Sequence, residues 1–176
     1  MKTILALDLA TQAGFALRNA SGHVTSGSAS FACKRNEPPG MRWARYRRFL
    51  VDMFSANPDL TLIVFEDVKR HIGTEAAHCF GAFRALTELF AASHNLELKA
   101  IGVGTWKKHF TGNGAAKKDD VIAVCRQIGF KPIDSNEADA LGILHVATGN
   151  CPLLTPTFSK KPTGLKKIVP AGQNPF

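Results

Sequence analysis

The chain has 176 residues, close to one domain's worth, and hydrophobic residues make up 45%, a composition that excludes a disordered or fibrous protein. Lys+Arg 22 against Asp+Glu 14 gives a formal net charge of +8, which suits a polyanionic partner such as nucleic acid. Cys33, Cys79, Cys125 and Cys151 form no C-x-x-C pair, which argues against a zinc knuckle or disulfide framework, and no apolar run is long enough to span a membrane.

Taken in chain order, 3–9 (TILALDL) is a short apolar strand, 14–17 (GFAL) a second, and 24–31 a third, with turn chemistry in "RNASGH" at 18–23. Such a series predicts an antiparallel meander. After "KRNEPPG", residues 41–56 place Trp43, Tyr46, Phe49, Leu50, Met53 and Phe54 at helical spacing, with Arg42, Arg45, Arg47 and Arg48 among them. "LTLIVFE" (60–66) is a continuous apolar run ending in Glu66, as in a central strand covered on both faces. A helix is expected over 75–93, a strand over 96–103, then the short segment "GTWKKHF" and a Gly-rich basic loop, "TGNGAAKKDD", at 111–120. Helices at about 121–128 and 137–148 complete a domain over residues 1–150. Residues 151–176 read as a basic, Pro-rich tail without a core of its own. The reading is an α/β fold with a mixed central sheet flanked by helices, in a soluble, reducing, cytoplasmic setting. Ligand sites in such sheets lie at the C-terminal ends of strands.

Three acids interrupt core-forming runs: Asp8 in "LALDLA", Glu66 in "IVFEDV" and Asp139 in "NEADALGIL". A lone acid at a strand end commonly caps a helix or pairs with arginine. Three converging on one sheet edge point instead to a bound cation, because a buried carboxylate is costly unless paired or metal-bound, and oxygen ligands favour magnesium or manganese.

The order of Asp8 in the first strand, Gly14 six residues on, Glu66, the "GNGAAKKDDV" loop and "NEADALGI" opening the last helix resembles the RuvC family of Holliday junction resolvases, within the ribonuclease-H-like superfamily. The resemblance covers roughly 3–148, and the sequence looks like a phage-type member. It implies a ribonuclease-H-like fold and a homodimeric crossover junction endodeoxyribonuclease that cuts four-way DNA junctions with two Mg²⁺ or Mn²⁺ ions per site, leaving 5′-phosphates. By motif, Asp8, Glu66 and Asp139 would be metal ligands. Two cations about 4 Å apart activate a water and stabilise the leaving 3′ oxygen. Family members carry an acid three residues before the "ADAL" aspartate, where this chain has Asn136; Glu137 beside it is the favoured fourth ligand, with the Asn136 amide as the other choice. Lys107 and Lys118 match basic positions suited to neutralising charge at the scissile phosphate.

DNA contacts are expected from Lys69, Arg70, His71, Lys107, Lys117 and Lys118, with Gly112 and Gly114 letting the loop backbone approach a phosphate. Lys69 stands where the family has an aromatic wedge, which points to looser branched-DNA cleavage. Two other readings share the fold: a branched-DNA-binding module that does not cut, and a resolvase-like ribonuclease. An actin-like kinase fails on size, and "DLATQAG" lacks the paired glycines of its phosphate loop. His145, six residues past Asp139, falls nearly opposite it on the helix.

Overall fold

The computed structural model describes residues 1–69 and 73–149; Arg70, His71 and the 151–176 tail lie outside the described residues. Its sheet has five strands, β1 (Thr3–Asp8), β2 (Gln12–Arg18), β3 (Val24–Ser30), β4 (Leu60–Asp67) and β5 (Glu97–Gly102), in the order β3-β2-β1-β4-β5. β1 runs antiparallel to β2, and β2 to β3, whereas β1–β4 and β4–β5 are parallel. The helices are α1 (Met41–Ala56), α2 (Thr74–Ser93), α3 (Val103–Thr111), α4 (Lys118–Gln127) and α5 (Ser135–Ala147).

Successive side chains of a strand point to opposite faces, so a strand apolar at every position must be covered twice. β1 over Ile4–Leu7 and β4 over Leu62–Phe65 meet that condition. Leu5, Leu7, Ile63 and Phe65 pack with Tyr46 and Leu50 of α1 and with Phe80, Phe83 and Phe90 of α2. Ile4, Ala6 and Val64 face the other way, into a core made with Trp106, Phe110, Val121 and Leu141 from α3, α4 and α5. The result is the expected α/β architecture, a mixed sheet between two helical layers. No described helix is long and apolar enough to cross a membrane.

Three boundaries differ from the sequence reading, each for a local reason. The segment after β5 is a helix, α3, because Trp106 and Phe110 stand four residues apart and bury on one face. α4 begins at Lys118 rather than 121, its start fixed by Asp120 Oδ2 accepting from the Lys117 N–H at 2.8 Å. α5 begins at Ser135 because Asp134 caps it, accepting from the Glu137 N–H at 2.9 Å. These three helices carry much of the site.

Candidate active site

Asp8 is the last residue of β1 and Glu66 the last but one of β4. Ala6 pairs with Val64 and Leu7 with Phe65, so Asp8 and Glu66 come next in the same parallel register. By strand parity both point to the face that holds Ala6 and Val64, the face covered by α5. Asp139 lies on that helix. The close seat of α5 depends on Gly14, the partner of Asp8 across the β1–β2 ladder. A Cβ on Gly14 would fall 1.8 Å from the Asn136 carbonyl oxygen. The first turn of α5 therefore rests directly on the β2 backbone beside Asp8.

The three carboxylates feel one another. Burial first, and then the negative charges of Glu66 and Asp139, push the Asp8 carboxyl up to about 8 against the opposing pull of Lys118 and Lys107. Asp139 is likewise held up at about 6, raised chiefly by burial, with Lys107 opposing, Glu66 reinforcing and Lys118 opposing. Glu66 is raised by burial and partly relieved by the Trp106 indole and Lys107. The indole Nε1–H donates to Glu66 Oε1 at 2.8 Å. Asp139 Oδ1 is buried with no hydrogen-bond partner. Unpaired anions gathered in a partly dry site constitute a demand for positive charge.

The structure brings Lys107 and Lys118 to this group, as their influence on the acids shows. Lys107, on α3, also donates to the Ala116 carbonyl at 3.1 Å, and Lys118 is the first residue of α4. Lys117 is exposed just ahead of it, and Lys69 is exposed just past β4. The two loop glycines have uses of their own. Gly112 ends α3 at φ +82°, its N–H donating to the Lys108 carbonyl at 3.0 Å. Gly114 passes so close to α3 that a Cβ there would meet the Gly104 oxygen at 2.9 Å.

Glu137 is not brought to the other acids. Two residues from Asp139 on a helix is a rotation of about 200°, which sends its side chain toward β3. There Glu137 Oε1 accepts from Ser26 Oγ at 2.6 Å and Oε2 from the Ile133 N–H at 2.8 Å. Asn136, three residues before Asp139, shares its helix face. Asp134 and Trp106 were not singled out in the sequence. Asp134 looked like loop, yet it also accepts from Ser28 Oγ at 2.6 Å, tying β3 to the start of α5. The single signal for Trp106 was an indole set between "GT" and two lysines.

Among the described residues no group of three or more His, Cys, Asp or Glu side chains is placed so that it could hold a metal ion. The donor set nevertheless fits a hard divalent cation. It consists of oxygens alone, it carries excess negative charge, and one buried oxygen has no partner.

No protein-family model and no curated protein matches the sequence. Solved structures do match. Thermus thermophilus RuvC in complex with a Holliday junction substrate superposes with a TM-score of 0.68 at 19% identity, covering 81% of this chain and 90% of that one. The fold is RuvC-like. A second structure of Thermus thermophilus RuvC matches at a TM-score of 0.64 and 19% identity, over 84% of this chain and 96% of that one. The yeast mitochondrial Holliday junction resolvase Ydc2 matches at 0.58 and 9% identity, over 81% and 75%. At these identities the likeness is one of fold, the ribonuclease-H-like sheet of RuvC. In this RuvC-like sheet the acids sit at the C-terminal ends of the adjacent parallel strands β1 and β4 and on the helix laid across them.

Proposed function

We propose that the protein is a metal-dependent, structure-selective endodeoxyribonuclease that resolves four-way junctions and other branched DNA by phosphodiester hydrolysis in symmetric strands, leaving 5′-phosphates. One observation carries this reading: carboxylates from β1, β4 and α5 share one face of a RuvC-like sheet, mutually repelling, with two lysines beside them. The RuvC neighbour bound to a Holliday junction supports the substrate class.

In this reading Asp8, Glu66 and Asp139 hold the Mg²⁺ or Mn²⁺, and the Asn136 amide is the adjacent neutral oxygen donor in place of Glu137. Bound divalent ions supply an activated water and a counter-charge for the leaving 3′ oxygen. The protein's own part is to hold its carboxylates on rigid elements and to set Lys107 and Lys118 where a phosphate gains charge. Lys69 and Lys117 grip flanking phosphates without reading sequence. The working form is a homodimer, with the exposed Leu89 on α2, 65% accessible, in the contact between subunits.

The test is incubation of a synthetic four-way junction, a flap, linear duplex, single strands and duplex RNA with the protein in Mg²⁺ or Mn²⁺. Symmetric nicking of the junction, abolished by Asp8→Asn, is the expected result. Cleavage confined to RNA would replace the reading with a ribonuclease, and tight junction binding with no cutting in either metal would replace it with a binding module.

A further inference from the structure

We propose that Trp106 is a positioning residue for Glu66: its indole N–H engages Oε1 and leaves Oε2 as the oxygen offered to a divalent cation. The inference rests on the metal-binding part of the proposed function. A glutamate has three rotatable bonds and two equivalent oxygens, so a ligand at a strand end needs something to choose between them. The indole does so with a 2.8 Å hydrogen bond, and no described residue hydrogen-bonds Oε2.

The indole itself cannot move. Trp106 has no accessible surface, and a Cβ on Gly142 of α5 would fall 2.7 Å from its Cζ3 and 3.1 Å from its Cε3. Helix α5 has thus given up a side chain at the point where the ring lies. The next residue, Lys107, sets its ammonium 5.6 Å from the centre of the same ring. One short helix therefore delivers a neutral donor to Glu66 and a cation to the acid group as a whole. A donor without charge is the suitable kind here, because it orients the carboxylate without cancelling the negative charge that would attract the metal. Filling the core would not by itself require an N–H aimed at a carboxylate; Phe or Leu would serve.

Two measurements on the full chain test this. Trp106→Phe keeps a ring in the seat and removes the donor. Titration with Mn²⁺ alone, without DNA, should show affinity falling roughly tenfold, as when the partner of a metal ligand is removed, while the variant in EDTA keeps the parent's far-ultraviolet circular dichroism. In the Trp43→Phe variant, which keeps Trp106 and is labelled at its indole nitrogen, the remaining Nε1–H resonance should be protected from solvent exchange and should shift on adding Mg²⁺. The shift should be absent in Asp8→Asn. Parental Mn²⁺ affinity in Trp106→Phe, an indole resonance indifferent to Mg²⁺, or a parent that binds no Mn²⁺ would each overturn the proposal. A parent that binds Mn²⁺ with the indole shift and cuts no nucleic acid would sink the nuclease reading and leave this one standing.

Discussion

Asp8 is the residue on which most of the energetics turn. Its folded pKa of about 8 stands far above the ordinary 3.8, so between those values the folded protein binds a proton that the unfolded chain does not. The destabilisation is therefore complete above pH 8, shrinks as pH falls, and is gone below 3.8. Asp8→Asn should accordingly raise the melting temperature in EDTA by at least about 2 °C at pH 8.5. Its advantage should fade steadily on acidification, as thermal scans across a pH series would show. Excess Mg²⁺ should reverse the ranking, since the cation stabilises only the parent. Asp139 adds to the same trend over a lower range, ending near its own value of about 6. Both oxygens of Glu137 are occupied by protein donors. Glu137→Ala strands the Ser26 hydroxyl and the Ile133 N–H, which should lower stability by about 1–3 kcal/mol in urea titrations. Mn²⁺ affinity of the folded variant should stay within about threefold of the parent, the margin expected of a change that leaves the ligands in place.

At the scale of elements, the site is a matter of how near α5 can lie to the sheet. Helices pack on sheets at a distance set by the side chains between them, and here Gly14 reduces that distance. Gly14 admits the first turn of α5 against β2, and Gly142, two turns on, admits the Trp106 ring. Gly14→Ala should destabilise by about 1–3 kcal/mol, as overpacking does, and abolish Mn²⁺ binding, because the backbone oxygen of Asn136 stands 1.8 Å from the new methyl and cannot yield as a side chain would. A variant with unchanged Mn²⁺ affinity would show that the seat of α5 is not what places Asp139. Asp134 and Glu137 hold the other side of the same helix through Ser28 and Ser26 of β3. The edge strand β3, with its sequence VTSGSAS, has little apolar surface to bury, and those two serines anchor it instead.

For the molecule as a whole, a net charge of +8 coexists with a patch of unpaired carboxylates on one sheet edge. The two features have separate consequences. In the proposed reading the net positive charge draws in a polyanion at a rate and affinity that fall with salt, whereas the unpaired acids would repel phosphate unless cations occupied them. Junction binding in Ca²⁺ should therefore weaken linearly on a logarithmic salt axis. Lys117→Ala, an exposed cation next to the site, should reduce the slope by about 1 with little change in which DNA is chosen. Fluorescence anisotropy over a salt series measures both. A loss of junction preference without a change of slope would mean that Lys117 reads DNA shape and is no simple phosphate contact.

The sheet was legible from the chain alone because its two central strands carry the unbroken apolar runs Ile4–Leu7 and Leu62–Phe65, and a run written that way has to be covered on both faces. Asp8, Glu66 and Asp139 stood out as candidates for the complementary reason: an acid inside such a run has to find a partner. The partners of Glu137 were not legible because adjacency in sequence does not mean adjacency on a helix. Its fate was decided by the rotation of α5 and by serines more than a hundred residues earlier. Trp106 escaped notice because a buried tryptophan and a tryptophan that orients a ligand read alike until the Nε1–H has a direction. Local pattern determines which residues must be buried. Only the packing of α3 and α5 against β1, β2 and β4 decides which buried groups meet, because that depends on the volumes left vacant at Gly14 and Gly142.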